Sequence, residues 1–505
     1  MLDTSLTDFD ALTEPDYIDG STTEFSSRSV FGRVTYTYDS RYLFEANVRY
    51  DGSSRFPSGN RFGFFPSMSA GYRISEEPFM QSLKPYLSTL KIRGSWGMIG
   101  NQDVGTDRYI STLSTSVDSW IIDGKKVQST QKPTIVSSTL TWEKVTTLDL
   151  GLDARFFNDA LGVTFDWYNR TTSDILTTAN LPATLGADAP YENMGTIQTK
   201  GWELAIDYRH TFKNGLHFGV TASVADDKTE VTKWTYNTKI PSYGATGWWD
   251  KSAYKEGMVL GDIWGLQFDR FLTEDDFNAD GSLKAGLPDQ TKVFPAGYQF
   301  APGDVLYKDL DNNGEIVKQT NTNDKGDLSV IGNALPRLQF GLNLDAAWKG
   351  FDISMFFQGV AKRKLWAAGN QVLPGFTTGE PFYKGAEDYW TPENTDAFYP
   401  RPMDYKQSAS GNYSVNDRYL LNMAYLRLKT FTVGYSLPKV WLSKFKVQGL
   451  RVYFTGENLF TIDGVKPAID PEIGIRTASG KSDQRNFGRS YPYQKTVSFG
   501  IQLSL

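Results

Sequence analysis

The chain has 505 residues and a formal net charge of −6, and this acidic balance argues against a nucleic-acid partner, whose phosphates require a basic surface. It contains no Cys and only 2 His, which excludes disulfide frameworks, thiolate chemistry and Cys/His zinc sites. Aromatic residues reach 14%, a level typical of rings placed at membrane interfaces and also of sugar-binding surfaces.

Apolar and polar residues alternate along many segments of the chain, and turn residues separate these segments. In the first pair, Val34, Tyr36 and Tyr38 precede a turn at Asp39-Ser40, and an alternating segment from Tyr42 to Tyr50 follows it. Such a pair predicts a hairpin with one apolar and one polar face. Similar segments contain Met68–Ile74, Leu90–Met98, Leu148–Phe156, Leu161–Trp167, Trp202–Tyr208, Phe218–Val224, Leu338–Ala346, Phe351–Phe357, Phe431–Leu437, Leu450–Phe454 and Gln494–Leu505.

A strand that alternates in this way needs an apolar medium on one side and water on the other. No apolar run approaches the eighteen or so residues that a membrane-spanning helix needs. Alternating segments of about ten residues are the signal of a transmembrane β-barrel. The sequence therefore predicts an all-β protein, a transmembrane antiparallel β-barrel wall of about thirteen strands.

The predicted connections alternate in length. Short turns at Asp39, Asn158, Asn214 and Lys349 alternate with long connections at 100–144, 172–198, 227–335, 362–423 and 459–493. This pattern predicts long extracellular loops and short periplasmic turns. We expect residues 1–27 to be the remnant of an extracellular loop and residues 28–505 to form the C-terminal portion of a barrel. An odd strand number leaves unpaired edges, so further strands are expected in a parent protein.

The stretch Arg41–Met80 (RYLFEANVRYDGSSRFPSGNRFGFFPSMSAGYRISEEPFM) resembles the shared signature of SusC-like (SusC/RagA) TonB-dependent outer-membrane transporters. Further matches follow in family order: LKIRGSWGMIGNQ from Leu90, LTWEKVTTLDLGLDARFF from Leu140, MGTIQTKGWELAIDYR from Met194, PGDVLYKDLDNNGEI from Pro302, IGNALPRLQFGLNLDAAWKGFDISMFFQGV from Ile331, YLRLKTFTVGYSLPKVWL from Tyr425 and LRVYFTGENLFTI from Leu450.

The resemblance implies a 22-stranded barrel, of which this chain would supply about the last thirteen strands, with a plug domain absent from the chain. It also implies location in a bacterial outer membrane, a SusD-like surface lipoprotein as partner, and coupling to TonB through the missing N-terminal part. The implied function is TonB-dependent import of nutrient oligomers, glycans first and peptides as an alternative. A plugless diffusion porin and a soluble glycan-binding β-protein are the other readings.

One segment resembles a calcium loop. Asp309, Asp311, Asn313 and the carbonyl of Glu315 lie at alternate positions, and Gly314 provides the bend. Position twelve of such a loop is Thr320 here, where the bidentate Glu is expected, although Asp324 and Asp327 follow. We therefore favour a plain Asp/Asn/Gly turn, keep a structural calcium ion held by these residues as the alternative, and expect no other cofactor.

Two other groups of residues are candidates for binding. Rings in the long loops could stack on sugars or pack the loops together, and the substrate-binding candidates are Trp248, Trp249, Tyr254, Tyr389 and Trp390. Polar positions of the alternating strands should line the barrel, and the lumen-lining candidates are Arg49, Arg73, Arg93, Asp149 and Asp153. The two histidines, His210 and His217, flank a predicted turn, and no carboxylate is tied to a nucleophile by spacing. We expect no catalytic residue and no enzyme.

Overall fold

The computed structural model describes residues 22–113, 115–122, 124–130, 134–178, 189–235, 254–318, 324–367, 369, 371–376, 382–403, 411–442, 447–466, 469–472 and 493–504. The strands in chain order are β1 (Ser27–Tyr38), β2 (Tyr42–Ser53), β3 (Phe62–Arg73), β4 (Leu87–Asn101), β5 (Thr115–Ile122), β6 (Lys125–Thr130), β7 (Glu143–Phe156), β8 (Leu161–Thr178), β9 (Tyr191–Thr211), β10 (His217–Trp234), β11 (Asp262–Gly265), β12 (Phe268–Phe271), β13 (Val305–Tyr307), β14 (Ser329–Asn333), β15 (Arg337–Trp348), β16 (Phe351–Lys362), β17 (Lys364–Leu365), β18 (Leu421–Asn422), β19 (Tyr425–Ser436), β20 (Gly449–Asp463) and β21 (Thr496–Ser504).

Helical structure is confined to short pieces. One α-helix, α1 (Lys439–Leu442), is accompanied by 3-10 turns at Ser58–Asn60, Ile74–Glu76, Pro78–Leu83, Glu274–Asp276, Lys384–Ala386 and Gly411–Tyr413. Across the described part of the chain, no helix has both the length and the apolar character needed to cross a membrane.

Thirteen of the strands form one sheet in the order β1-β2-β3-β4-β7-β8-β9-β10-β15-β16-β19-β20-β21. Every neighbouring pair in it is antiparallel. The predicted strand number and the all-β antiparallel architecture are confirmed. Over the described ranges, β1 and β21 each pair with one neighbour, so the sheet is open at these two strands.

The sheet has one apolar and one polar face, because directly opposed residues of antiparallel strands share a face. Val34 lies opposite Ala46, which lies opposite Met68, which lies opposite Trp96. We call this apolar side the outer face; at its far edge the side chain of Phe499 is 81% exposed. The other side, the inner face, carries the registered polar series Thr35, Glu45, Ser69, Ser95 and Asp149.

Two-residue turns at one edge of the sheet fix the hairpin register. Asp39 and Ser40 both have positive φ (49° and 52°), and the N–H of Arg41 donates to the carbonyl of Tyr38 at 3.0 Å. Lys349 and Gly350 repeat this geometry at φ 49° and 91°. Turns with two positive φ values match the twist of flanking strands. We call this edge the short-turn rim; its connections are 39–41, 74–86, 157–160, 212–216, 349–350 and 437–448.

The strands are longer than predicted on the opposite, long-loop side. β8 continues to Thr178 and β9 begins at Tyr191, so the connection predicted at 172–198 is shorter. Register shifts between Thr172 and Leu176 break the alternation. As a result, the consecutive residues Ile175 and Leu176 are both buried, a pattern that alternation alone would not predict.

The described residues of the long connections 235–336 and 363–424 fold into a unit of their own. Trp366, Tyr307 and Tyr419 are the largest fully buried side chains among the described residues, and all three belong to this unit. Two apolar clusters form its interior: one surrounds Trp366 and Tyr419, and the other surrounds Tyr307. We call this unit the loop core. Its short two-stranded sheets pair β11 with β14, β12 with β13 and β17 with β18.

Candidate functional site

The inner face carries a hub of charge around Arg93. Its guanidinium contacts three carboxylates: Asp166 at 2.6 Å, Asp153 at 3.2 Å and Asp149 at 3.5 Å. These four side chains are all between one fifth and one third exposed, so water reaches them. The hub therefore keeps a hydrated, polar wall, and its three carboxylates outnumber its one guanidinium.

Further ion pairs join strands of the sheet. Arg155–Asp207 and Arg451–Asp352 lie on the same inner face, whereas Arg337–Asp226 lies near the long-loop end, where Asp226 is opposite Trp202 of the outer face. Each joins an Arg to an Asp on another strand through two contacts, the geometry in which guanidinium and carboxylate fit best. The pairs are Arg155 with Asp207 (3.0 and 3.1 Å), Arg337 with Asp226 (2.5 and 2.7 Å) and Arg451 with Asp352 (2.9 and 2.5 Å).

The structure places all five predicted lumen-lining residues on the inner face. Arg93, Asp149 and Asp153 form the hub described above, and Arg49 makes an ion pair with Asp51 at 3.2 Å. Arg73 lies opposite Lys91 near the short-turn rim. Sequence reasoning did not single out the partner carboxylates, which are Asp166, Asp207, Asp226 and Asp352. Alternation with polar positions could have found Asp166, Asp207 and Asp352, but Asp226 is in phase with the apolar positions of β10.

A buried carboxylate joins the two connections of the loop core. Asp304 is fully buried and accepts hydrogen bonds from Nε of Arg401 (2.8 Å), Nδ2 of Asn412 (2.9 Å) and the hydroxyl of Tyr298 (2.9 Å). Asn412 in turn accepts a hydrogen bond from the backbone N–H of Val305 at 2.7 Å. Because Asp304 and Arg401 belong to different connections, this junction fixes the position of one relative to the other.

A cavity of about 420 Å³ opens in the loop core. Its wall is mainly aromatic and proline side chains, with one cation and one carboxylate, Lys384 and Glu387. Such a pocket, apolar with few polar groups, is typical of a ligand site. The lining also includes Pro374, Phe382, Tyr383, Ala386, Tyr389, Tyr399, Pro400, Pro402 and Tyr413.

The predicted aromatic candidates are divided between this cavity and packed interiors. Tyr389 lines the cavity and is 40% exposed. Trp390 is buried in the loop core, and the buried ring of Tyr254 packs on Trp234 with 5.0 Å between ring centroids. These two placements match the packing alternative. Residues 248 and 249, which are Trp248 and Trp249, lie outside the described residues.

The predicted calcium loop brings three carboxylates together. Oxygens of Asp309, Asp311 and Asp327 lie within 4.8 Å of one another, a spacing that fits a hard cation with oxygen ligands. Partial desolvation, and then the nearby carboxylates of Asp327 and Asp309, raise the pKa of Asp311.

The side-chain oxygen of Asn313, another predicted ligand, accepts the N–H of Glu315 at 2.8 Å. The carboxylate of Glu315, whose backbone carbonyl is the predicted ligand, pairs with Lys292. Thr320 lies outside the described residues. Calcium at this loop stays a prediction.

A family of known proteins matches nearly the whole chain. The model for "TonB dependent receptor-like, beta-barrel" matches residues 3–459. The chain belongs to this family. It is a family of receptors and transporters, and the outer face described above is suited to the outer membrane, where this receptor barrel resides.

Individual receptors are similar over the same length. TonB-dependent receptor P3 of Formosa agariphila is 28% identical over 487 residues, which cover 94% of this chain and 45% of that protein. TonB-dependent receptor SusC of Bacteroides thetaiotaomicron is 27% identical, with 94% and 43% covered. The resemblance to SusC-like receptors is therefore confirmed. The chain spans less than half the length of these relatives.

Solved structures show the same fold. The structure of the RagAB peptide transporter has a TM-score of 0.69 and 22% sequence identity, and the match covers 96% of this receptor barrel and 48% of that chain. The "open-open" state of the RagAB peptide importer gives a TM-score of 0.67 with 98% and 49% covered. The thirteen-stranded sheet is thus a known receptor fold.

Proposed function

We propose that the chain forms the wall and the extracellular loops of a TonB-dependent importer in the outer membrane. The observation that carries this proposal is the combination of a continuous charged inner face with a folded loop core that contains an open cavity. The wall provides a hydrated surface along the barrel, and the loop core provides a place where a solute can be held before it enters.

The substrate class that we propose is an oligomeric nutrient, with glycans preferred. Tyr383 and Tyr389 present partly exposed rings in the cavity, and sugar rings stack on such faces. Glu387 supplies a carboxylate that could accept hydroxyl hydrogen bonds. Peptides are the second candidate, because the solved RagAB structure, which has this fold, is described as a peptide transporter.

We also propose two partners for the whole protein. A SusD-like surface lipoprotein would cover the long-loop side, and TonB would deliver energy through an N-terminal part that precedes the barrel. Similarity to TonB-dependent receptor SusC supports the second proposal. The apolar outer face and the family membership argue against the soluble glycan-binding alternative, whereas a plugless diffusion porin would use the same wall.

Uptake by the full-length receptor in its host tests this function. We expect growth on one set of oligosaccharides to require both the receptor and TonB, and a lipoprotein to co-purify with the receptor in detergent. Tyr389→Ala should reduce affinity for the ligand about tenfold, since one stacked ring contributes about 1 to 1.5 kcal/mol.

Two results would contradict the proposal. Uptake that continues without TonB, together with steady conductance in planar bilayers, would indicate the porin. Growth defects limited to peptides would move the substrate class to peptides. Tyr254→Phe is the matched control for Tyr389→Ala, because Tyr254 lies in a packed interior and should leave affinity unchanged.

A further inference from the structure

The short-turn rim carries large exposed apolar side chains on every one of its connections or at their ends. Most of these connections are tight turns too short to form a binding surface by themselves. The exposed residues, in order around the rim, are Tyr38, Tyr42, Phe79, Leu83, Tyr86, Phe157, Phe212, Trp348, Phe351, Val440 and Trp441. A belt of this kind is what a membrane–water interface favours.

The connection 74–86 is the most elaborate part of this belt. It contains two 3-10 turns, Ile74–Glu76 and Pro78–Leu83, that leave Met80 buried. Phe79, Leu83 and Tyr86 are 68%, 46% and 66% exposed. The carbonyl of Tyr86 accepts the N–H of Phe157 at 3.0 Å, so the connection ends beside the next turn of the belt.

A buried carboxylate fixes this connection to the outer face. Glu77 is 8% exposed and accepts hydrogen bonds from the hydroxyls of Tyr42 (2.8 Å) and Tyr72 (3.0 Å) and from Arg41 (2.9 Å). The rings of Tyr42 and Tyr72 stack at 5.0 Å on the apolar side of β2 and β3. The chain therefore leaves the sheet on its lipid-facing side, immediately before the exposed Phe79.

We propose that the connection 74–86 is a membrane anchor that lies in the periplasmic interface of the outer membrane. Phe79, Leu83 and Tyr86 enter the boundary between phospholipid headgroups and acyl chains, and the Glu77 contacts hold the segment at that depth. Amphipathic rings and aliphatic side chains beside polar groups are favoured in this zone.

The connection 74–86 is continuous with the outer face, and this favours lipid over a protein as its partner. The Tyr42 and Tyr72 rings that hold Glu77 belong to the face that contacts lipid, so a protein bound at Phe79 would have to displace lipid from the same edge. α1, which connects β19 to β20 on the same rim, repeats the arrangement: Leu442 is buried while Val440 and Trp441 are 76% and 60% exposed.

Spin-label depth measurements on the full-length receptor in phospholipid nanodiscs test the anchor. This chain has no Cys, so Leu83→Cys places one label in it once any cysteines elsewhere in the receptor are replaced. We expect the label to be more accessible to oxygen than to a water-soluble nickel chelate. Phe499→Cys on the outer face is the lipid reference, and Lys284→Cys on the exposed surface of the loop core is the water reference.

Two results would overturn the proposal. The label at Leu83 could match the Lys284 reference, which would place the segment in water, or it could be protected from both reagents, which would indicate a covering protein. Tyr86→Cys is a second labelling site, with the same two outcomes, for the case in which the Leu83 label disturbs the turn.

The role of Glu77 has its own test. Glu77→Gln should make the Leu83 label more mobile and more accessible to the nickel chelate, because the ion pair with Arg41 is lost. Glu76→Gln removes only the half-exposed ion pair with Lys84 and should leave the mobility and the nickel accessibility of the label unchanged. Equal effects of the two variants would show that Glu77 does not hold the segment in place.

Discussion

Arg93 and Asp166 meet at 2.6 Å although β7 lies between their strands. Gly151 on β7 is directly opposite both residues, and a Cβ at that position would collide with the guanidinium. Strands in a sheet are about 4.8 Å apart, so two side chains can reach across an intervening strand only where that strand carries no side chain.

The same triplet recurs with Arg155, Gly162 and Asp207, and it gives the first prediction. Gly162→Val should separate Arg155 from Asp207 and lower the free energy of unfolding by about 1 to 3 kcal/mol, the usual effect of overpacking. The measurement is the temperature at which the folded band disappears on SDS gels. Gly32→Val is the control, since the nearest atom to a Cβ at Gly32 lies 3.7 Å away. Equal midpoints for the two variants would contradict the prediction.

The apolar outer face predicts a strong asymmetry between neighbouring positions of β21. Phe499→Arg puts a charge against lipid and should reduce assembly, at a cost of about 2 to 4 kcal/mol near the middle of the bilayer. Ser498→Arg, at the adjacent inner-face position opposite Thr455, should assemble normally. The amount of folded, heat-modifiable receptor in outer-membrane fractions measures the assembly of both variants. Normal assembly of the Phe499 variant would mean that the outer and inner faces are misassigned.

The buried Asp304 predicts that Arg401 is needed for the loop core. Arg401→Gln leaves a buried carboxylate without its cation, which should destabilise the loop core by about 3 kcal/mol. Limited proteolysis of the loops in membranes measures this, with the sheet as internal reference. Lys292→Gln removes a half-exposed pair with Glu315 and should cost under about 1 kcal/mol. Similar protection of Arg401→Gln and wild type would refute the role assigned to Asp304.

The turn at Glu274–Asp276 should be sensitive to acid. Hydrogen bonds from Arg270 (2.6 and 2.8 Å), with further help from Thr273, lower the pKa of Asp276 to about 2. Since the folded pKa is below the unfolded one, this stabilisation is complete above about pH 4 and is lost as the pH falls toward 2. It amounts to about 1 to 2 kcal/mol, because Arg270 is partly exposed.

Amide exchange of this turn, corrected for the intrinsic rate at each pH, measures the effect. Wild-type protection should decrease between pH 4 and pH 2, and Asp276→Asn should show the lower protection already at pH 7. A variant that is as protected as the wild type at neutral pH would show that the ion pair does not hold the turn.

Calcium binding at the Asp309 loop has a direct test. If the three carboxylates hold an ion, calcium should raise the midpoint of loop-core unfolding, and Asp311→Asn should abolish that rise. Protons compete for Asp311, whose pKa is raised, so the rise should diminish at acidic pH. Glu315→Gln is the control, because that carboxylate pairs with Lys292. If calcium has no effect on the wild type, the segment is a plain Asp/Asn/Gly turn.

The sheet could be predicted from the sequence because its signals are local. Alternation in Gln494–Leu505 predicts the strand observed at Thr496–Ser504, and the short turns predicted at Asp39-Ser40 and Lys349 are present, with positive φ values. Where a register shift interrupts alternation, as near Ile175, the local signal fails and the predicted strand ends too early.

The loop core could not be predicted, since its contacts join residues far apart in the chain. Asp304 meets Arg401, and Leu266 donates its N–H to Val415 at 2.9 Å, with no local pattern in common. For the same reason the sequence could not divide the loop aromatics into Tyr389, which lines a cavity, and Trp390, which is buried beside it.

The shared interior of the long connections restricts how such receptors can diversify. Apolar side chains from the described residues of these two connections, such as Ile263 and Trp366, bury one another, so replacing a single loop with that of a relative would expose the apolar side chains of its neighbour. Changes of ligand preference are therefore expected to come from point substitutions around the cavity or from exchange of both connections together.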